Sequence, residues 1–176
     1  MTHSFRQNWA EGVCMKLSGS CHCGKVKFTV KSSHYYPYQR CYCSICRKTQ
    51  GGGGFAINLS ADADSLKVKG KEHISVYKAK VRNPGEKSYQ STGERNFCSV
   101  CSSGLWLFDP EWPELIHPFA SAIDSEIPVP PEHTHLMLDF KPKWVEMQTK
   151  KKDKKFKRYP KESIAEWHER VVKKKK

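Results

Sequence analysis

A chain of 176 residues, 38% hydrophobic and carrying a net charge of +13, has room for one domain with a core and an appendage, and not for two ordinary domains. No run approaches the ~18 apolar residues of a membrane span, and MTHSFRQNWAEGV lacks the basic start and apolar run of a secretory signal, so a cytoplasmic protein without membrane contact is expected. The basic character is a property of the C-terminus: Lys141 to Lys176 holds 15 Lys and Arg against 5 Asp and Glu.

Residues 1–16 show no periodicity and read as an N-terminal extension, and Cys14 has no partner at metal-ligand spacing. Gly19 to Gly24 is a glycine-bracketed turn presenting Cys21 and Cys23. Val26, Phe28 and Val30 then alternate with polar residues, as in a half-buried strand. Ser32 to Arg40 reads as a loop leading to Cys41-Tyr42-Cys43-Ser44-Ile45-Cys46, where three thiols on a tight turn converge. After Gly51 to Gly54, whose backbone N–H groups could approach a ligand, Phe55 to Leu59 reads as a strand.

Further short strands are predicted at 66–68, 73–77, 88–91 and 95–97, the last entering a CxxC knuckle at Cys98 and Cys101. Apolar runs at 105–108, 115–117 and 119–123, and a final strand at 136–140, complete an all-β pattern. In the basic segment 148–176, Pro160 followed by Ile164, Trp167 and Val171 at helical spacing predicts a short amphipathic helix.

Seven of the eight cysteines fall into three groups. In a reducing compartment clustered thiols indicate metal rather than disulfides. Cys21 and Cys23 with Cys98 and Cys101 make four thiolates, enough for a closed structural zinc site bridging distant parts of the chain. Cys41, Cys43 and Cys46 are then left with an open fourth position, as at a catalytic zinc. The other division, in which the triad completes its shell from one of the pairs, leaves stray thiols.

The segments GSCHCGKVKF (19–28), CYCSICRK (41–48), NFCSVCSSGLW (96–106) and the run ending Ala122-Ile123-Asp124 resemble the glutathione-dependent formaldehyde-activating enzyme family, which includes the centromere protein V group. The resemblance covers about residues 17–147. It implies a zinc-stabilised β-tent fold, the same division of the cysteines, and two zinc ions per chain. It also implies a carbon–sulfur lyase activity, with glutathione as co-substrate in forming S-hydroxymethylglutathione. Where the family usually has glycine after the second CxxC cysteine, this chain has Ser102.

On that reading the catalytic residues are Cys41, Cys43 and Cys46, and Arg47 and Lys48 with the backbone of Gly52 and Gly53 are candidates for the carboxylates of glutathione or an adduct. Arg40 and Arg95 also lie beside cysteine motifs, but any one of these cations is as readily a solvated surface charge. Histidines 22 and 117 are read as structural. The aromatic residues Tyr35, Tyr36, Tyr38, Trp106, Phe108 and Trp112 either line a pocket for a larger adduct or belong to the core. The alternative function is a zinc-stabilised module whose Lys150 to Lys176 segment contacts nucleic acid or directs nuclear import.

Overall fold

The computed structural model describes residues 14–50, 52–83 and 85–173. Three sheets carry the fold. In the first, β1 (Met15–Ser20) and β6 (Lys67–Lys69) both pair antiparallel with β2 (Lys27–Ser32). The second has the order β5 (Ala61–Asp62), β10 (Leu115–Pro118), β9 (Gly104–Phe108), β8 (Tyr89–Cys98), β7 (Ile74–Val81). The third joins β12 (Lys154–Lys155), β11 (Thr134–Leu136), β3 (Gln39–Cys41) and β4 (Ala56–Ile57), with β11 parallel to both β12 and β3.

The main core lies between the first two sheets. On β2, Phe28 and Val30 point inward while Lys27 and Lys31 face out, and they meet Leu17, Leu105, Trp106, Ile116 and Phe119. Phe28 packs edge-on against Trp106. Cys21 and Cys98 sit in this same core. A second, smaller cluster holds Cys41, Cys46, Ala56, Leu136 and Met137, so the two thiol groups belong to different packing units.

The mainly β class agrees with expectation, and several elements differ in detail. β1 was not anticipated because its inward positions include Gly19, which gives no apolar signal; a Cβ there would run into the Phe28 ring and the Ala122 carbonyl. The three-thiol turn is helical: α1 (Ser44–Thr49) starts at Cys43, whose Sγ accepts the N–H of Cys46 at 3.3 Å. The runs 88–91 and 95–97 are one strand, β8, paired on both edges. Residues 120–122 and 138–140 form 3-10 turns, since apolar runs without alternation do not by themselves select strand over turn.

The basic C-terminal segment is built into the body. Lys154 and Lys155 extend the third sheet, and the N–H groups of Met137, Leu138 and Asp139 donate to the carbonyls of Arg158, Phe156 and Lys157. The helix α2 (Ile164–Lys173) begins with a capping box, in which Ser163 and Glu166 exchange side-chain-to-backbone bonds of 3.2 and 2.7 Å. Its Trp167 is fully buried and stacked on Tyr38 with ring centroids 3.7 Å apart. Arg170 bonds both Glu162 and Glu132 at 2.6 Å, tying the helix to the loop before β11. Among the described residues no helix is long and apolar enough to cross a membrane.

Candidate functional site

The Sγ atoms of Cys21, Cys23, Cys98 and Cys101 all lie within 4.8 Å of one another. Two backbone turns bring them there. The N–H of Cys21 donates to the Val26 carbonyl at 3.0 Å around a turn whose Gly24 has φ +74, and the N–H of Val26 donates back to the Cys21 sulfur at 3.2 Å. In the other turn the N–H of Ser102 donates to the carbonyl of Cys98 at 2.8 Å, and Ser102 itself adopts φ +60. Glycine reaches that left-handed conformation at no steric cost, and this chain holds it with a serine.

These sulfurs fit a single metal ion. Cys21 to Cys23 and Cys23 to Cys98 are 3.5 and 3.8 Å apart, and a tetrahedron with Zn–S bonds of about 2.3 Å needs sulfurs about 3.8 Å apart. The Ser103 hydroxyl, 3.2 Å from its sulfur, and nearby N–H groups pull the Cys101 thiol down to about 5.

Cys41, Cys43 and Cys46 form the second group, also within 4.8 Å. β3 delivers Cys41 while α1 carries the other two. Cys41 and Cys46 are buried and Cys43 is half-exposed, so the group opens on its Cys43 side. Hydrogen bonds from Cys41 and Cys46 hold Cys43 down at about 2, and Cys41, which keeps its proton to donate that bond, is pushed well up. Three converging sulfurs are a donor set suited to a soft cation.

A network behind this triad was not legible in the sequence. The Tyr42 hydroxyl meets Nδ1 of His135 at 2.9 Å, and Nε2 of His135 lies 3.4 Å from the Asp153 carboxylate. Asp153, the one acid in KKKDKKFKRY, is buried and also accepts the N–H groups of His133 and Lys150 at 2.8 and 2.9 Å. Burial would raise its carboxyl, but these donors outweigh it and hold it at about 2. An isolated acid inside a lysine run was the available signal.

Against the four-thiol group opens a cavity of about 750 Å³, walled by the end of α1, the Cys21 turn, the loop after Cys101 and the turn at 121–124; none of the triad cysteines is on its lining, which on α1 begins one residue beyond Cys46. Arg47, Lys48 and Gly52 line it, whereas Gly53 does not; Gly51 lies outside the described residues. Gly54, at φ +84, packs beneath Val145 and Trp144. Nε of Arg47 and both amide atoms of Gln50 are buried without a hydrogen-bond partner. Two Arg95 nitrogens share that condition.

The other candidates divide. Arg40 lies over the Phe55 ring and 3.3 Å from His133, a packing role. His117 meets the Leu59 carbonyl at 2.9 Å, and burial lowers its pKa, as for a structural histidine. His22 is exposed on the cavity wall. Tyr36 and Tyr38 pack with Trp167, Trp106 and Phe108 join the main core, and Trp112 is exposed. None of these aromatic residues, nor Tyr35, lines the cavity.

A profile of glutathione-dependent formaldehyde-activating enzymes matches residues 16–138. The chain belongs to this family. A Halomonas elongata protein, provisionally named glutathione-dependent formaldehyde-activating enzyme, is 62% identical over 157 residues, which is 89% of this chain and 97% of that protein. A crystal structure of a Rhodobacter sphaeroides protein aligns with 63% of this chain and 91% of its own, at 26% identity and a TM-score of 0.48. The matched residues 16–138 contain all seven cysteines of the two thiol groups.

Proposed function

We propose that the protein is a zinc-dependent enzyme of carbon–sulfur lyase type acting on glutathione and formaldehyde, or on a glutathione adduct. Two zinc ions per chain are assigned: a structural ion on Cys21, Cys23, Cys98 and Cys101, and a catalytic one on Cys41, Cys43 and Cys46. The observation that carries this reading is that one short helix brings a half-open thiol triad and the basic edge of a cavity together. Cytoplasmic thiols stay reduced, which suits both ligand sets.

A zinc ion on the triad would supply positive charge that lowers the pKa of a substrate thiol and favours holding sulfur over activating water. The protein does the rest by placement. Arg47 and Lys48 pair with glutathione carboxylates, and the backbone of Gly52 offers an N–H donor. In the forward direction the thiol S–H bond breaks, a bond forms from sulfur to the aldehyde carbon, and the proton passes to the aldehyde oxygen.

The test is zinc content per chain together with glutathione-dependent formaldehyde consumption, for the intact protein and Cys43→Ser. Two zinc ions falling to one, with the activity gone and the fold intact, is the expected result. One zinc in both proteins, or activity surviving the substitution, overturns the reading. The nucleic-acid alternative needed 150–176 as a free basic arm; residues 154–173 are packed into the body, so no observation favours it.

A further inference from the structure

The cavity is not uniformly basic. Asp124 is the one acidic residue on its lining, and it comes from a different element than Arg47 and Lys48. Its backbone is pinned: the N–H of Asp124 donates to the Ser18 carbonyl at 2.8 Å, the neighbouring Ser125 hydroxyl accepts the Ser18 N–H at 3.0 Å, and Ile123 bridges to Gly19. The carboxylate itself is exposed and forms no hydrogen bond or ion pair among the described residues. On the same lining, Arg47 and Gln50 have buried polar atoms that are also unpartnered.

The helix α1 connects this cavity to the triad. Cys43 caps it and Cys46 lies within it, while its last residues Arg47, Lys48 and Thr49 line the cavity. With a rise of about 1.5 Å per residue, Thr49 lies roughly 4.5 Å along the axis from Cys46. Two extended residues of a peptide cover a comparable length, at most about 7 Å. A peptide thiol at the triad can therefore lay its next residue in the cavity.

We propose that the cavity is a zwitterion site for the γ-glutamyl end of glutathione, in which Asp124 takes the α-ammonium while Arg47 and Lys48 take the α-carboxylate. This rests on glutathione being the substrate, and it makes Asp124 a specificity-determining residue that separates glutathione from thiols carrying carboxylates alone. Opposed fixed charges on two walls match a ligand group bearing both signs, where an all-basic site would accept any anion.

The test is calorimetric binding at neutral pH to the metal-loaded protein, comparing glutathione with its desamino analogue glutaryl-cysteinyl-glycine, for the wild type, Asp124→Asn and Lys48→Gln. The wild type is expected to prefer glutathione by about tenfold, the scale of one charge-assisted hydrogen bond. Asp124→Asn should lose that preference by weakening glutathione alone, with metal content and melting temperature unchanged. Lys48→Gln should weaken both ligands alike. A wild type that binds both equally well, or an Asp124→Asn that keeps the preference, overturns the Asp124 assignment and leaves glutathione as substrate standing. A wild type that binds neither ligand overturns the glutathione reading as well.

Discussion

The two thiol groups use the same chemical donor in opposite ways. Cys21 and Cys98 are 77 residues apart in sequence and both lie in the main core, so their group closes a long loop between two sheets. Cys41, Cys43 and Cys46 span one strand end and the start of one helix, and pack in a separate cluster against Met137 and Leu136. Closing a long loop constrains the unfolded chain strongly, whereas a local ligand set constrains it little. A metal in the first group therefore contributes mainly to stability, and one in the second is free to serve chemistry.

Removing one ligand from each group is the sharpest way to break that comparison. Cys98→Ser is expected to prevent stable folding, because a structural zinc contributes on the order of 10 kcal/mol and Cys98 is fully buried. Thermal unfolding followed by circular dichroism checks it, and a cooperative transition near the wild-type midpoint would contradict the division of roles. Cys43→Ser should keep the fold within about 1 kcal/mol and lose activity by about a thousandfold, equivalent to about 4 kcal/mol. Steady-state formaldehyde consumption and a denaturant titration measure the two halves of that expectation.

A smaller effect separates the packing units by pH. Burial holds His168 down at about 4, although its bond to the Ile164 carbonyl pulls upward; the His34 ring lowers it further. Its Nε2 accepts the N–H of Tyr36 at 3.0 Å, which requires the neutral ring. The folded value lies below the unfolded value of about 6.5, so the unfolded chain takes up the proton first. Stability from this contact is complete above about pH 6.5 and declines as pH falls toward about 4, by on the order of 2 to 3 kcal/mol. Emission from Trp167 should report α2 loosening in that window, and His168→Gln should flatten the profile.

The least effect concerns the loop that holds the four-thiol group. Ser102→Gly relieves a left-handed serine at φ +60 and is expected to stabilise the protein by about 1 kcal/mol, read as a rise in melting temperature without change in activity. Gln50, by contrast, should tolerate no larger neighbour at Gly104, since a Cβ there would lie 3.0 Å from Gln50 Cγ and 3.2 Å from the Phe119 ring.

Much of this division was legible in the residues themselves. Thiols are rare, and their spacing survives in the fold because a CxC or CxxC turn positions its own sulfurs with few alternatives. Alternation likewise identified β2, since a strand with one buried face must place every second residue inward. Local rules did not identify β1, where glycine occupies an inward position, or the 3-10 turns inside apolar runs.

Only the tertiary structure decided that the basic segment belongs to the body. Its composition describes a solvated arm, yet Asp153 is buried under His133 and His135, and Trp167 stacks on Tyr38 more than a hundred residues earlier. Such contacts depend on what lies opposite in space. The same holds for the cavity: Arg47 and Lys48 announce themselves beside a cysteine motif, while Asp124 joins them on one lining only because the Gly19 backbone lets β1 and the 120–122 turn come together. Ligand spacing within a turn is written in the sequence, and the meeting of opposite charges in one cavity is set by how the sheets pack.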